Sequence, residues 1–231
     1  MNTLKQLDSG LLGSDEAVAA LAASESARIL VLSDTHGHYN VVEAILREFG
    51  PHCDALLFAG DGMWDIVQYL ENAQESEKYR ESLPPVVAFV AGNGDGDQYR
   101  VGLPSNGPAS EPEDNPGYSL TVPNRQIVRA CGYGILLVHG HRHSVDINLE
   151  ILVDSARAMD CDIAVYGHTH VPFHEDFSHI LVLNPGSPSR PRSHSASCFA
   201  VIELEATSLV PRLEFWIVKE GMLGNFHFSK A

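Results

Sequence analysis

Residues Ile29-Leu30-Val31-Leu32-Ser33-Asp34-Thr35-His36-Gly37-His38 decide the fold. The apolar run has the length of a buried strand, and it ends in a small polar loop bearing a carboxylate, two imidazoles and a glycine. On extended backbone, residues two apart point to the same side, so Asp34 and His36 form a pair. Residues 41–49 follow, with Val41, Val42, Ile45, Leu46 and Phe49 spaced as one face of a helix. A strand, a loop of metal-ligand residues and a helix in that order make the first unit of an α/β sheet.

The unit recurs. Strand 54–59 leads to Gly60-Asp61, strand 86–91 to Gly92-Asn93, strand 134–138 to His139-Gly140-His141, and strand 162–166 to Gly167-His168-Thr169-His170. A helix over 63–70, continued by Gln74-Glu75-Ser76, separates the second and third strands, and Pro84-Pro85 restarts the chain. Any one of these motifs arises often by chance. Together, in order and each at the carboxyl end of a strand, they stand where α/β sheets build their sites. Each also has a glycine beside it, which allows a tight turn or a close approach to a ligand.

The remaining chain frames this set. Residues 1–27 form an N-terminal extension in which Ser14-Asp15-Glu16-Ala17 starts like a capped helix; a short surface helix or a frayed end is expected there. Residues 103–117, with Pro104, Pro108, Pro112 and Pro116, read as an irregular insertion, either a plain surface excursion or a lid. Beyond it come strands 118–122 and 126–130, a helix over 145–159 with Ile147 and Ile151 on its apolar face, and strands 171–177 and 180–183. Segments 198–204 and 212–218 read as a closing antiparallel hairpin, and 221–231 as a tail. The fold class is therefore α/β, a sandwich of two sheets with helices on the outside, in a single domain over 28–220.

Bulk composition narrows the function. The chain has 231 residues, 44% hydrophobic, with 30 acidic against 15 basic residues and a formal charge of −15. Broad binding to a nucleic-acid backbone needs clustered Lys and Arg and is not expected. A nucleotide substrate stays open, because bound divalent cations reverse the potential inside a pocket. Cys53, Cys131, Cys161 and Cys198 are widely spaced and read as free thiols, which fits a reducing cytoplasm. No stretch approaches the ~20 apolar residues of a membrane span, and no secretory signal is expected.

The ordered set Asp34-Thr35-His36, Gly60-Asp61, Gly92-Asn93, His139-Gly140-His141 and Gly167-His168-Thr169-His170 resembles the calcineurin-like metallophosphoesterase superfamily, most of all its YfcE-like phosphodiesterase branch. Asn184-Pro185-Gly186-Ser187, followed by Pro191-Arg192, resembles that branch's late loop, and the likeness runs over 28–218. It implies two divalent metals, Mn²⁺ first, with Ni²⁺, Fe²⁺, Zn²⁺ or Mg²⁺ as alternatives. Carried over by motif, Asp34, His36 and His170 hold one ion, Asn93, His139 and His168 the other, and Asp61 bridges. Such a mixture of hard oxygens and imidazole nitrogens suits first-row divalent ions, and the absence of Cys disfavours a structural zinc site. The activity implied is hydrolysis of a P–O ester by in-line attack of metal-activated hydroxide on a small phosphoester or nucleotide-like substrate, phosphodiesters first.

In one place the sequence departs from the family. Many members carry a His after the metal-binding Asn, and the YfcE-like branch commonly a Cys; here Gly94 and Asp95 follow Asn93. His141 becomes the first candidate for leaving-group protonation, and His38 the second, as a substrate contact. Arg190 and Arg192 are candidates to hold phosphate. Trp64 is expected in the core first and as a pocket wall second. Alternative readings are a phosphomonoesterase or nucleotide phosphatase on the same site, or a non-catalytic metal-binding scaffold, since the same fold serves as a retromer subunit in eukaryotes. A homodimer is implied by the resemblance alone.

Overall fold

Alternation along the strands sorts the side chains into layers. The computed structural model describes residues 1–102, 117–208, 210–222 and 224–231; the 103–117 insertion, apart from Gly117, lies outside the described residues. After α1 (Asp15–Ala23), the strands β1 (Ser26–Leu32), β2 (Ala55–Phe58) and β3 (Val86–Phe89) run parallel. Their connections are α2 (Tyr39–Phe49), α3 (Met63–Glu75) and the short α4 (Glu77–Glu81). A two-stranded ribbon follows, β4 (Gln98–Val101) with β5 (Tyr118–Thr121). The second sheet contains β6 (Arg125–Ala130), β7 (Tyr133–Val138), β8 (Ile163–Val165), β9 (Phe173–Phe177) and β10 (Ile180–Asn184), in the order β6-β7-β8-β10-β9, with α5 (Glu150–Ala158) between β7 and β8. The chain then returns to the first sheet as β11 (Cys198–Glu205), β12 (Arg212–Glu220) and β13 (Phe226–Lys230), giving the order β13-β12-β11-β1-β2-β3.

Every second residue of a strand faces the same way. Ile29, Val31, Ala55, Leu57, Val86 and Ala88 meet Val128, Ile135, Leu137, Ile163, Val165 and Leu183 between the two sheets. Their neighbours Leu30, Leu32, Leu56, Phe58, Val87 and Phe89 are covered by Val42, Ile45 and Leu46 of α2 and Ile66, Val67 and Leu70 of α3. On the far side, Leu136, Val138, Ala164 and Val182 lie under Leu152, Val153 and Ala156 of α5. Strands buried on both faces explain why they read as continuous apolar runs. Each fully buried Leu, Ile or Phe contributes roughly 2 kcal/mol. The expected two-sheet sandwich with outer helices is what the chain forms.

Three local expectations change, and a fourth is resolved. The helix expected over 145–159 begins only at Glu150, because Gly140 (φ 110°) and Ser144 (φ 52°) are left-handed around a 3₁₀ turn, His141–His143. The side-chain oxygen of Asn148 then accepts from the Glu150 N–H at 3.2 Å, at the helix start. Ile147 is consequently 82% exposed rather than part of the core, and Ile151 is half exposed. The tail expected over 221–231 instead supplies β13, whose Phe228 packs edge-on against Phe49 and Phe199. In the N-terminal extension the expected short helix forms, with Ser14 Oγ accepting from the Ala17 N–H at 3.1 Å. The segment before it is docked rather than frayed: Leu12 bridges to Val87 and is fully buried, and the Asn2 amide donates to the carbonyls of Pro84 and Pro85.

Candidate metal centre

The site loops leave the carboxyl ends of β1, β2, β3, β7 and β8, strands that run parallel within their own sheets. Asp34 (φ 57°), His36 (φ 48°), Asp61 (φ 56°), His168 (φ 69°) and His170 (φ 60°) all adopt left-handed backbone. That conformation costs a non-glycine residue roughly 1–2 kcal/mol, so neighbouring contacts must hold it. The Asp34 N–H donates to Gly60 O and the His36 N–H to Asp61 O, both at 2.9 Å, which ties the first two loops together. The Ser187 hydroxyl donates to Asp34 O at 2.7 Å, and the His168 N–H to Asp34 Oδ2 at 3.0 Å. Two glycines allow this approach: a Cβ on Gly167 would lie 1.9 Å from Ser33 Oγ, and one on Gly92 2.1 Å from Asp61 Oδ1.

Two groups of acceptors result. In the first, His170 Nε2 lies 3.1 Å from His36 Nε2 and 3.3 Å from Asp34 Oδ1. His170 Nδ1–H donates to Arg190 O at 2.6 Å, which leaves Nε2 as a lone pair turned inward. In the second, Asn93 Oδ1 stands 3.2 Å from His139 Nε2 and 2.9 Å from His168 Nδ1. The outer nitrogens are again committed: His139 Nδ1–H to Ala59 O at 2.6 Å, and His168 Nε2–H to Asp146 Oδ2 at 2.8 Å. Asp61 Oδ2 lies between the groups, 3.8 Å from His36 Nε2 and 3.5 Å from His139 Nε2. Carboxylate oxygens and inward-turned imidazole nitrogens that converge in this way form a set that a cation can neutralise. Two carboxylates with imidazole nitrogens fit a divalent first-row ion. Asp34, His36 and His170, and likewise Asp34, Asp61 and His139, bring ligand atoms within 4.8 Å of one another.

The titration behaviour agrees. Burial pushes the Asp61 carboxyl up, but hydrogen bonds from His139 and the Gly94 N–H, with the charges of His139 and His36, bring it down to about 2. Burial lowers His139, yet a hydrogen bond to Asp61, the charges of Asp34 and Asp61, and a hydrogen bond to Ala59 O outweigh it, and its imidazole is raised. Burial lowers the His36 imidazole, against Asp61 and Asp34 and with help from His170 and Arg190.

A model of the calcineurin-like phosphoesterase superfamily domain matches residues 28–207. The chain belongs to that superfamily. A probable metallophosphoesterase of Mycoplasma pneumoniae is 28% identical over 169 residues, which cover 72% of this chain and 82% of the relative. Phosphodiesterase YfcE of Escherichia coli K12 is 26% identical over 189 residues, 79% of this chain and 91% of its own. Among solved structures, a conserved Streptococcus pneumoniae protein described as a predicted phosphoesterase has a TM-score of 0.59 at 24% identity and shares the fold, covering 90% of this chain and 100% of its own. For a calcineurin-like phosphoesterase, converging Asp and His ligands of this kind support metal-dependent phosphoester hydrolysis.

The other residues singled out in this phosphoesterase chain fall around the centre unequally. The His141 ring lies 5.3 Å from that of His139 and 6.2 Å from that of His168, and its Nδ1 is buried without a partner among the described residues. Burial, then the charge of His139, lowers its imidazole. His38 is exposed; its Nδ1 bonds back to Thr35 O at 2.9 Å, and it lines a neighbouring cleft of about 430 Å³ with Ser189, Glu220 and Phe226. Arg190 and Arg192 are both exposed, Arg190 within electrostatic reach of His36 and Arg192 Nη1 3.5 Å from His168 O. Trp64, expected in the core, is 66% exposed.

Sequence reasoning passed over Asp95. Its carboxylate accepts from the N–H groups of Asp61 (2.6 Å), Gly62 (3.1 Å), Met63 (2.9 Å) and Gly92 (3.0 Å), and so fixes two ligand loops and the first turn of α3. Asp65, buried, accepts from Thr35 Oγ1 at 2.5 Å and the Gly37 N–H at 3.0 Å, anchoring the first loop. Asp146 orients His168. The one visible signal was an acid placed directly after Asn93-Gly94; spacing alone does not reveal that it collects backbone N–H groups.

Proposed function

We propose that the protein is a phosphoesterase with a dinuclear metal centre that hydrolyses P–O ester bonds of small phosphodiesters, nucleotide-like molecules included. The position of Asp61 carries this reading, because a single carboxylate oxygen stands within 4 Å of ring nitrogens in both acceptor groups. Asp34, His36 and His170 would hold one ion, Asn93, His139 and His168 the other, with Asp61 joining them. Mn²⁺ is the first choice, with Ni²⁺, Fe²⁺, Zn²⁺ or Mg²⁺ behind it. When bound, such ions supply hydroxide at neutral pH and offset the charge of the phosphoryl oxygens.

The chain's own residues supply the rest of the chemistry. Arg190 and Arg192 flank the centre and can hold non-bridging phosphoryl oxygens. His141, whose ring neighbours those of His139 and His168, is the first candidate to give a proton to the leaving oxygen; His38 bonds to its own loop and is the weaker candidate. With Gly94 after Asn93, no side chain follows the ligand to protonate a poor leaving group. That favours diesters and activated esters over simple alkyl monoesters. The free thiols Cys53, Cys131, Cys161 and Cys198, all buried, fit a cytoplasmic protein, and family resemblance extends the reading to a homodimer. Among the described residues no helix is long and apolar enough to cross a membrane.

The test is to purify the protein, measure its bound metals, and assay bis-p-nitrophenyl phosphate and p-nitrophenyl phosphate with Mn²⁺, Ni²⁺ and Mg²⁺. The reading expects the diester to be hydrolysed faster. A faster monoester would favour a phosphomonoesterase or nucleotide phosphatase. Fully loaded protein that turns over neither ester would favour a metal-binding scaffold.

A further inference from the structure

Trp64 is a large aromatic side chain that the core leaves in solvent. It sits in the first turn of α3, three residues after Asp61, between the buried Met63 and Asp65, yet it is 66% exposed. Tryptophan is highly buried on average, so an indole left in water three residues after Asp61 calls for a reason. One neighbouring ring touches it. It packs edge-on against Tyr99, with centroids 5.0 Å apart and planes at 79°. Tyr99 is itself buried, and its hydroxyl accepts from the Gly96 N–H at 2.9 Å.

Between this aromatic pair and Asn93 runs the backbone of 93–96. Asn93, Gly94 and Gly96 are exposed, and the two glycines present no side chain to solvent. Asp95 turns its carboxylate back onto the N–H groups of Asp61, Gly62, Met63 and Gly92. A Cβ built on Gly96 would lie 3.9 Å from Tyr99 Oη, so the ledge ends against the pair. Backbone with little side chain on its exposed side therefore runs from Asn93 to Tyr99, the ring against which the exposed indole packs.

We infer that Trp64 is a specificity-determining residue that stacks a planar aromatic ester group, an aryl ring or a nucleobase, of the phosphoester held at the centre. The inference rests on the phosphoesterase reading. Stacking on an aromatic side chain tolerates any flat ring, because every base or arene offers a π-face. It also suits a chain of formal charge −15, since it attracts the substrate without needing a cation.

Binding and turnover, measured together, test it. With Mn²⁺-loaded full-length protein, phenyl phosphate, methyl phosphate, adenosine 5′-monophosphate and ribose 5-phosphate are titrated as inhibitors of bis-p-nitrophenyl phosphate hydrolysis. Tryptophan fluorescence is followed in parallel. Wild type is expected to bind an aromatic ligand about tenfold tighter than its partner without a ring, with quenched emission. Tightening in both pairs assigns a general ring site, and tightening in the adenosine pair alone assigns a nucleobase site. Trp64→Ala should erase the preference, while Trp64→Phe should keep most of the affinity and lose the quenching. Equal affinities within both pairs, or a preference that Trp64→Ala retains, would overturn the stacking role even with hydrolysis intact. Absence of both turnover and binding would overturn the phosphoesterase reading and the stacking role with it.

Discussion

Burial alone would drive the Asp61 carboxyl toward its neutral form, yet His139 and the Gly94 N–H hold it ionised down to about 2, below the usual 3.8. A depressed carboxylate adds stability that is fully present above its unfolded value and is lost as pH falls through its folded one. In chelator-treated protein, the stability gap between wild type and Asp61→Asn should therefore narrow as pH falls from about 3.8 toward 2. Urea titrations across that range check this; a gap that widened on acidification would contradict it. In loaded protein the same substitution removes the oxygen shared by both acceptor groups. It should lower diester hydrolysis by more than the roughly 10–100-fold that loss of an outer partner costs a metal site. Asp95→Ala, by contrast, strands four N–H groups of the ligand loops. We expect a loss of about 2–3 kcal/mol in stability together with weaker metal binding, and partial recovery with Asp95→Asn, measured by denaturant unfolding and by metal titration. His141→Ala should slow hydrolysis of esters with poor leaving groups more than of p-nitrophenyl esters, and an equal effect on both would remove His141 as a proton donor.

Elements show where the sequence was legible and where it was not. The buried strands β1, β2, β3, β7 and β8 could be read because both faces are covered, so that Ile29–Leu32 or Ile135–Val138 appear as unbroken apolar runs. The ligands followed because each sits at the end of such a strand beside a glycine. β13 was invisible: Phe226-His227-Phe228-Ser229-Lys230 alternates as an edge strand should, but only its pairing with Trp216–Glu220 and the rings of Phe49 and Phe199 make it part of the sheet. Phe228→Ala should then cost about 2 kcal/mol, read as a lower denaturation midpoint at unchanged m-value. The start of α5 was misplaced because periodicity at Ile147 and Ile151 mimics a helix face, whereas left-handed Ser144 stops the helix from reaching back to Val145. Trp64 was misassigned for a related reason. Its helix is amphipathic, but in the first turn Met63 and Asp65 face inward and Trp64 does not.

For the whole molecule, two sheets meet so that the loops of β1, β2 and β3 from one face those of β7 and β8 from the other, and neither sheet holds a complete set of acceptors. His170 and His168 come from the second sheet to join Asp34 and Asn93 of the first. The centre and the sandwich therefore depend on each other, and metal should raise the melting temperature as well as confer activity. The most direct test is stoichiometric: metal-depleted protein is titrated with Mn²⁺ while hydrolysis of bis-p-nitrophenyl phosphate is followed. A dinuclear centre bridged by Asp61 requires a rate that starts near zero and reaches its plateau at two equivalents per chain. A plateau at one equivalent, or a fully loaded protein without turnover, would contradict it.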